Sequence, residues 1–360
     1  MTTVFCLTRR ENPLEAVINS LQEKELHIIP EQKSKIVAVN SSLDQPDFGL
    51  DRDMIGHMQA SVTQLIHAAW PVNFNLQLGQ FEPHFQGLYN LIQFSLSVQR
   101  PEPAVLMFCS SISTSLHAVS TEIQEAPIDL SSAYLGYGQS KLIGEHIVSV
   151  ARQSGARAFS LRIGQVSGHS KKGLWNDNEA LPLMIRSALT LKALPDLQET
   201  CSWLPIDMLA CTMVELTRAC SASYHESAEG YNSSVTTAER VDDSIYNVCN
   251  PREFSWPALL KSLSQSGFQF DTVSVKQWLQ KLRESEAKGE EHINPAVKLI
   301  GHYEMMHGEN SLFTQHGPKI FVTDKAERDS VTLRNGHLRI LEDGILNCYV
   351  RDWLSRWVTS

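Results

Sequence analysis

The strongest constraint on the fold is an alternation in the first 165 residues. Short, nearly continuous apolar runs at residues 3–7, 34–39, 64–67, 105–109 and 158–163 alternate with stretches of helical apolar spacing at 13–24, 87–98 and 141–154. A strand that is apolar on both faces must be covered on both. A helix between two such strands covers one face and returns the chain parallel. The pattern predicts an α/β fold with a Rossmann-like, doubly wound parallel sheet. Beyond residue 165 helical spacing dominates, at 181–191, 208–219, 256–264, 275–284 and 338–357. Residues 245–249 read as a strand that rejoins the sheet, 221–243 as a polar surface loop, and 284–291 as a charge run that forms a solvated helix end or loop. The expected division is an α/β part over 1–165 and a smaller, mainly helical part over 166–360.

Composition limits the function classes. Of 360 residues, 42% are apolar and 20% charged, enough for a buried core and too few charges for a disordered chain. The net charge of −9 argues against a sequence-independent nucleic-acid binder, which needs a basic face. No apolar run reaches the length of a membrane span, and no signal peptide is visible, so a cytoplasmic protein is expected. The seven cysteines are odd in number and none is spaced C-x-x-C, so neither a disulfide framework nor a metal site is predicted.

The sharpest chemical signal is Tyr137-Gly138-Gln139-Ser140-Lys141. Tyr and Lys four apart share one helix face. An ammonium beside a phenol favours the phenolate, so such a Tyr can exchange a proton with a substrate oxygen near neutral pH. Ser110 and Ser111 follow the 105–109 run, where ligands of open parallel sheets bind. Ser111, further out, is the favoured partner for a substrate carbonyl. The alternative for both serines is capping of the next element.

A strand-end Ser, a Tyr–Lys pair 26 residues after Ser111 and an α/β frame resemble the extended branch of the short-chain dehydrogenase/reductase superfamily. Longer segments look like the thioester reductase domain of fungal adenylate-forming reductases and related non-ribosomal-peptide-synthetase-like enzymes. They are Leu65-Ile66-His67-Ala68-Ala69-Trp70-Pro71-Val72-Asn73, Phe81-Glu82-Pro83-His84-Phe85-Gln86-Gly87, Leu161-Arg162-Ile163-Gly164-Gln165-Val166, Gly173-Leu174-Trp175-Asn176, Trp203-Leu204-Pro205-Ile206-Asp207 and Asn294-Pro295-Ala296-Val297. The resemblance runs over nearly the whole chain. It implies reduction by NADPH of an acyl thioester, carried on the phosphopantetheine arm of an acyl carrier protein or small and free, to an aldehyde or alcohol in fungal secondary metabolism. It implies Tyr137 as proton donor, Lys141 as its pKa-lowering neighbour and ribose ligand, and Ser111 on the carbonyl. His67, Ala69, Ile163, Gly164, Gln165 and Val166 would touch NADP(H), as would Tyr137 and Lys141. Arg9, with Arg10 beside it, would meet the adenosine 2′-phosphate. Residues 166–360 would face the substrate and its carrier.

The chain departs from that pattern in three places. No G-x-G-x-x-G or G-x-x-G-x-x-G turn occurs, and the earliest glycine is Gly49. The resemblance makes the run at 3–7 a second strand, so the first strand, glycine loop and helix are expected to be missing. Each lost charge-assisted phosphate contact forfeits about 1.5–3 kcal/mol, so weakened or lost NADP(H) binding is expected. The sheet would also hold an unpaired gap, inviting self-association. Three explanations are a truncated reading of the gene, a degenerate reductase without NADPH, or completion by another chain. Ser42-Leu43 stands where the family has Asp-Leu against the adenine, and His84 where the superfamily often has Asn. The competing function is non-reductive: carrier binding, or condensation or release of a thioester. A serine hydrolase lacks support, because Gly168-His169-Ser170-Lys171-Lys172 is missing the last glycine of a nucleophile elbow.

Overall fold

The computed structural model describes residues 3–229, 243–308, 311 and 317–357. The chain divides into two compact units. One holds residues 1–110, 135–160 and 232–244, the other 111–134, 161–231 and 245–360. The fold is α/β with parallel sheets, as the alternation predicts.

In the first unit, β1 (Val4–Thr8) and β2 (Ile36–Asn40) form a parallel pair with Val4 opposite Ile36. They are joined by α1 (Pro13–Glu23). Helix α2 (Arg52–Ser61) starts where the Asp51 carboxylate accepts the Met54 N–H, an N-cap that satisfies an otherwise unpaired donor. It leads to β3 (Gln64–His67). Helix α3 (Glu82–Ser97) leads to β4 (Val105–Ser111), and α4 (Gly136–Gln153) to β5 (Ala158–Ile163). Strand β3 pairs parallel with β4, and the Leu106 N–H donates to the Arg157 carbonyl just before β5. The order is therefore β5–β4–β3, and the β1–β2 pair forms a separate sheet.

Central and edge strands differ in burial. Residues 105–108 of β4 are fully buried, as a parallel strand covered on both faces must be. Val4 of β1 is 49% exposed and Ile66 of β3 is 48% exposed. The expectation of a buried strand at 3–7 is thus corrected: Val4 is exposed and Phe5, Cys6 and Leu7 are only half-buried. Phe5 meets His57 of α2 edge-on at 5.4 Å, so the connection from β2 to β3 passes over β1. Even so, among the described residues β3 pairs with β4 alone and β1 with β2 alone. Phe5, Leu7 and Leu65 all pack on one core built from Met58, Phe81, Leu88, Leu106 and Phe108.

In the second unit, the Gly164 N–H donates to the Val248 carbonyl, setting β6 (Ile245–Val248) beside the end of β5 as expected for 245–249. Its helices include α5 (Ala180–Leu191), α6 (Ile206–Glu229), α7 (Trp256–Gln265), α8 (Val275–Ala287), α9 (Ile300–His307) and α10 (Ile345–Trp357). Trp203, Trp256, Trp278 and Trp353 are fully buried among them. Two expectations are corrected and a third is met. Residues 221–229 continue α6 instead of forming a loop, while 230–242 lie outside the described residues. Residues 284–287 complete α8, the helix end expected of that charge run. The last helix starts at Ile345, because Gly344 at φ 77° interrupts the stretch from 338.

Candidate active site

Strand β4 runs through Ser110 and Ser111. Helix α4 begins earlier than expected, at Gly136, and so takes in Tyr137 as well as Lys141. A Cβ at Gly136 would lie 2.2 Å from the Leu76 carbonyl oxygen, so only glycine lets the helix start against that segment. At Gly144 a Cβ would meet the Phe108 ring at 2.6 Å. Phe108 is fully buried and cannot swing aside, so this glycine sets how closely α4 lies on β4.

That close approach brings the polar groups together. Lys141 is 3% exposed, and its Nζ donates to the Cys109 carbonyl at 2.6 Å. The Nζ lies 4.8 Å from the Trp70 ring centroid, 5.0 Å from Phe108 and 5.8 Å from Tyr137. Burial pulls the Lys141 pKa down to about 7, opposed by the neighbouring Cys109 and Glu145. Tyr137 is buried, with Phe74 edge-on at 5.0 Å. Ser140 donates to the Tyr137 carbonyl and accepts from the Trp70 indole N–H. The Ser110 hydroxyl donates to Glu145 at 2.6 Å.

His67 ends β3 with 4% exposure, its ring near Trp70 and Phe108. Burial lowers its pKa to about 4, helped by the charges of Lys141 and His84, so it is neutral at physiological pH. Its buried Nε2 has no hydrogen-bond partner. Ala69 is exposed in the loop beyond.

His84, whose ring lies 5.4 Å from Trp70, links this cluster to Arg9, Ser42, Leu43 and Asp44. Ser42 donates to the Asp44 carboxylate at 2.8 Å, which lowers the Asp44 pKa. Burial lowers His84, with the charge of nearby Arg9 next and Asp44 opposing. Asn90 of α3 donates to the Leu43 carbonyl at 2.8 Å and to the Gln45 carbonyl at 3.1 Å, pinning this loop to the helix. The carboxylate absent at position 42 thus reappears at 44. Arg10 lines an open cavity of about 540 Å³ with Thr8 and the α1 residues Val17 and Leu21.

In the second unit, Ser111 is half-buried and its Oγ accepts the Ser113 N–H, capping a short turn. Accepting leaves its own hydrogen to donate. Ile163 ends β5. Gln165 and Val166 belong to the strand Gln165–Ser167, parallel to Trp203–Pro205. A Cβ on Gly164 would sit 3.0 Å from the Cys249 sulfur. Ser170 donates to Asp207 at 2.6 Å, which uses its hydroxyl as a structural tie. Among the described residues there is no cluster of metal-ligating side chains, and no helix is long and apolar enough to cross a membrane. All seven cysteines are free thiols.

The residues missed from the sequence are Glu145, Trp70 and Asp44. Glu145 had a signal, since it continues the Tyr137–Lys141 register by one more helical turn.

Comparison with known proteins extends this geometry. The model of an NAD-binding family described as male sterility protein matches residues 1–213. The chain is 31% identical to adenylate-forming reductase Nps10 of Heterobasidion annosum over 351 residues, 93% of this chain and 30% of that protein. It is 32% identical to a carboxylic acid reductase of Neurospora crassa over 314 residues, 84% of this chain and 28% of that protein. The chain thus spans less than a third of the length of these relatives. Among solved structures it is similar to the terminal R domain of the myxalamid PKS-NRPS pathway, with a TM-score of 0.77 at 18% identity, covering 98% of this chain and 84% of that one. It is also similar to a thiolation-reductase di-domain of an archaeal non-ribosomal peptide synthetase, with a TM-score of 0.68 at 14% identity, covering 99% and 70%.

Proposed function

The chain belongs to the NAD-binding family described as male sterility protein, and from that premise we propose that it is an NADPH-dependent reductase of carrier-bound acyl thioesters. The observation that carries this reading is the buried Lys141, one helical turn from Tyr137 and fixed by the Cys109 carbonyl.

The residues present fit a nicotinamide dinucleotide at its two ends. Lys141 and the unpartnered His67 Nε2 supply polar groups for the nicotinamide ribose. Arg9, with Ser42, Leu43 and His84 nearby, suits a 2′-phosphorylated adenosine. Between these ends the fit fails. No G-x-G-x-x-G or G-x-x-G-x-x-G turn is present to bring backbone N–H groups against the pyrophosphate. Bound NADPH would supply a hydride to the thioester carbonyl. As charge builds on the carbonyl oxygen, Tyr137 would donate its proton there and Ser111 its hydroxyl hydrogen. The Lys141 ammonium would stabilise the negative charge that develops on the Tyr137 oxygen as its proton leaves, and so ease that transfer. Trp70 and Phe108 would keep water from the ammonium. Residues 163–166 would line the nicotinamide. In this reading residues 1–165 form the cofactor part and 166–360 the part that meets the acyl group and its carrier, in the cytoplasm. A thiolation-reductase di-domain with this fold supports a carrier partner.

The test is NADPH oxidation with an acyl-pantetheine thioester and a matched acyl-carrier thioester, with aldehyde and alcohol products measured. No turnover with either, and no calorimetric NADPH binding, would overturn this reading. It would leave the second one, favoured by the lack of a glycine-rich turn: a non-reductive protein that binds a carrier, or condenses or releases its thioester. The proposal includes self-association through β1 and β3, each of which pairs with a described strand on one side.

A further inference from the structure

Helix α4 places Tyr137, Lys141 and Glu145 at successive turns of one buried face. Two of the three are clamped to adjacent residues at the carboxyl end of β4. Lys141 donates to the Cys109 carbonyl at 2.6 Å, and Ser110 donates to the Glu145 carboxylate at 2.6 Å. Glu145 is 3% exposed and Ser110 4%. Burying a carboxylate is costly unless it is paired and hydrogen-bonded, so a carboxylate at this place calls for a reason. As an acceptor for the Ser110 hydroxyl, a neutral amide would serve at lower cost.

The surroundings of Lys141 give the reason. From β3 it faces His67, which is neutral, and from β4 the Cys109 thiol, whose pKa burial raises to about 11. From α3 His84 acts on the same cluster, and its pKa is lowered. From α4 itself come Tyr137 and Glu145. The rings of Trp70, Phe108 and Tyr137 contribute only their quadrupoles. Glu145 is the carboxylate among the groups that act on the Lys141 ammonium.

We propose that Glu145 is a positioning residue. Anchored by Ser110, it keeps the Lys141 ammonium protonated and aimed in its aromatic surroundings, and thereby sets the pH range over which the Tyr137–Lys141 pair works. This rests on the reductase reading, and the experiment separates the two.

Glu145→Gln keeps the shape and an acceptor for Ser110 while removing the charge. The first readout is the titration of Lys141 followed by NMR of protein labelled at lysine ¹³Cε, with the signal assigned by its loss in Lys141→Arg. Removing a neighbouring charge moves a pKa by about one unit, so the Lys141 midpoint is expected to fall by about that much in Glu145→Gln. Glu145→Asp should recover part of the shift. The second readout is the pH profile of kcat/KM. Its alkaline limb, where Lys141 loses its proton, should move to lower pH by the same amount, with a loss of roughly fivefold at neutral pH that grows toward tenfold at higher pH. A Glu145→Gln protein that melts earlier yet keeps the wild-type Lys141 midpoint and pH profile would overturn the proposal and leave Glu145 a brace. Should Glu145→Gln fail to fold, Ser110→Ala takes its place, with a smaller fall in the midpoint expected and an unchanged midpoint overturning the idea. A wild-type protein that reduces no thioester defeats the reductase reading, and the NMR titration still decides the role of Glu145.

Discussion

Tyr137→Phe removes one hydroxyl from a packed ring and nothing else. It should cut turnover by roughly 10²–10⁴-fold, the usual contribution of a positioned proton donor, and leave the unfolding midpoint nearly unchanged. Steady-state NADPH oxidation beside thermal melting measures both, and retained turnover would remove Tyr137 from the chemistry. A second residue reports on pH. Glu125 accepts N–H bonds from Asn247, Lys325 and Ala326, and burial raises its pKa from 4.5 to about 7. Between those values the folded protein holds a proton that the unfolded chain has released. Its contribution to stability is complete below pH 4.5 and is lost as pH rises through 7, by about 3 kcal/mol at most. Urea unfolding at pH 5 and pH 8 should show that decline, and Glu125→Gln should flatten it. Little of this could be read in advance. The Tyr–Lys spacing is a local pattern and was visible. The partners Cys109, Ser110 and Glu125 depend on which strand meets which helix, and a single sequence does not say that.

At the scale of elements, the sequence was read best where period and burial agree. Strands β3 and β5 lie at the expected 64–67 and 158–163. Helix starts were misread where a residue that breaks helices in their interior is tolerated at their ends. Pro83 stands in the first turn of α3, where its missing N–H costs nothing, and Gly136 opens α4 because a carbonyl fills the space of a side chain. Conversely, Gly344 stopped an apolar pattern that reads as helical from 338. Gly144 allows the sharpest test of an element contact. Gly144→Ala improves intrinsic helix propensity, yet its methyl would press on the buried Phe108 ring. The clash should win, with a net loss of roughly 1–3 kcal/mol in chemical denaturation. A neutral or stabilising result would show that α4 can shift on β4.

For the molecule as a whole, the separate β1–β2 pair is the main departure from the sheet that the alternation predicts. The apolar runs showed that strands exist. They could not show that one neighbour would be lacking, because burial of a strand depends on what lies beside it. Strands β1 and β3 each offer one side that no described strand covers. Such edges template pairing with another chain. Sedimentation velocity should show the average mass rising with concentration. Ile66→Lys, a charge on the exposed face of β3, should return the protein to a monomer.

The thin attachment of β1, α1 and β2 also has a consequence in time. Helix α1 has no fully buried residue, and the segment is stitched by a single parallel ladder. Segments with few buried contacts open before the rest of a protein does. Backbone amides of residues 4–40 should therefore exchange with deuterium faster than those of β4 and α4, at a rate set by partial opening. Any ligand gripped by Arg9 then binds only the closed fraction, and its apparent affinity is scaled down by that fraction. Mild urea should loosen such a ligand well below the concentration that unfolds the core.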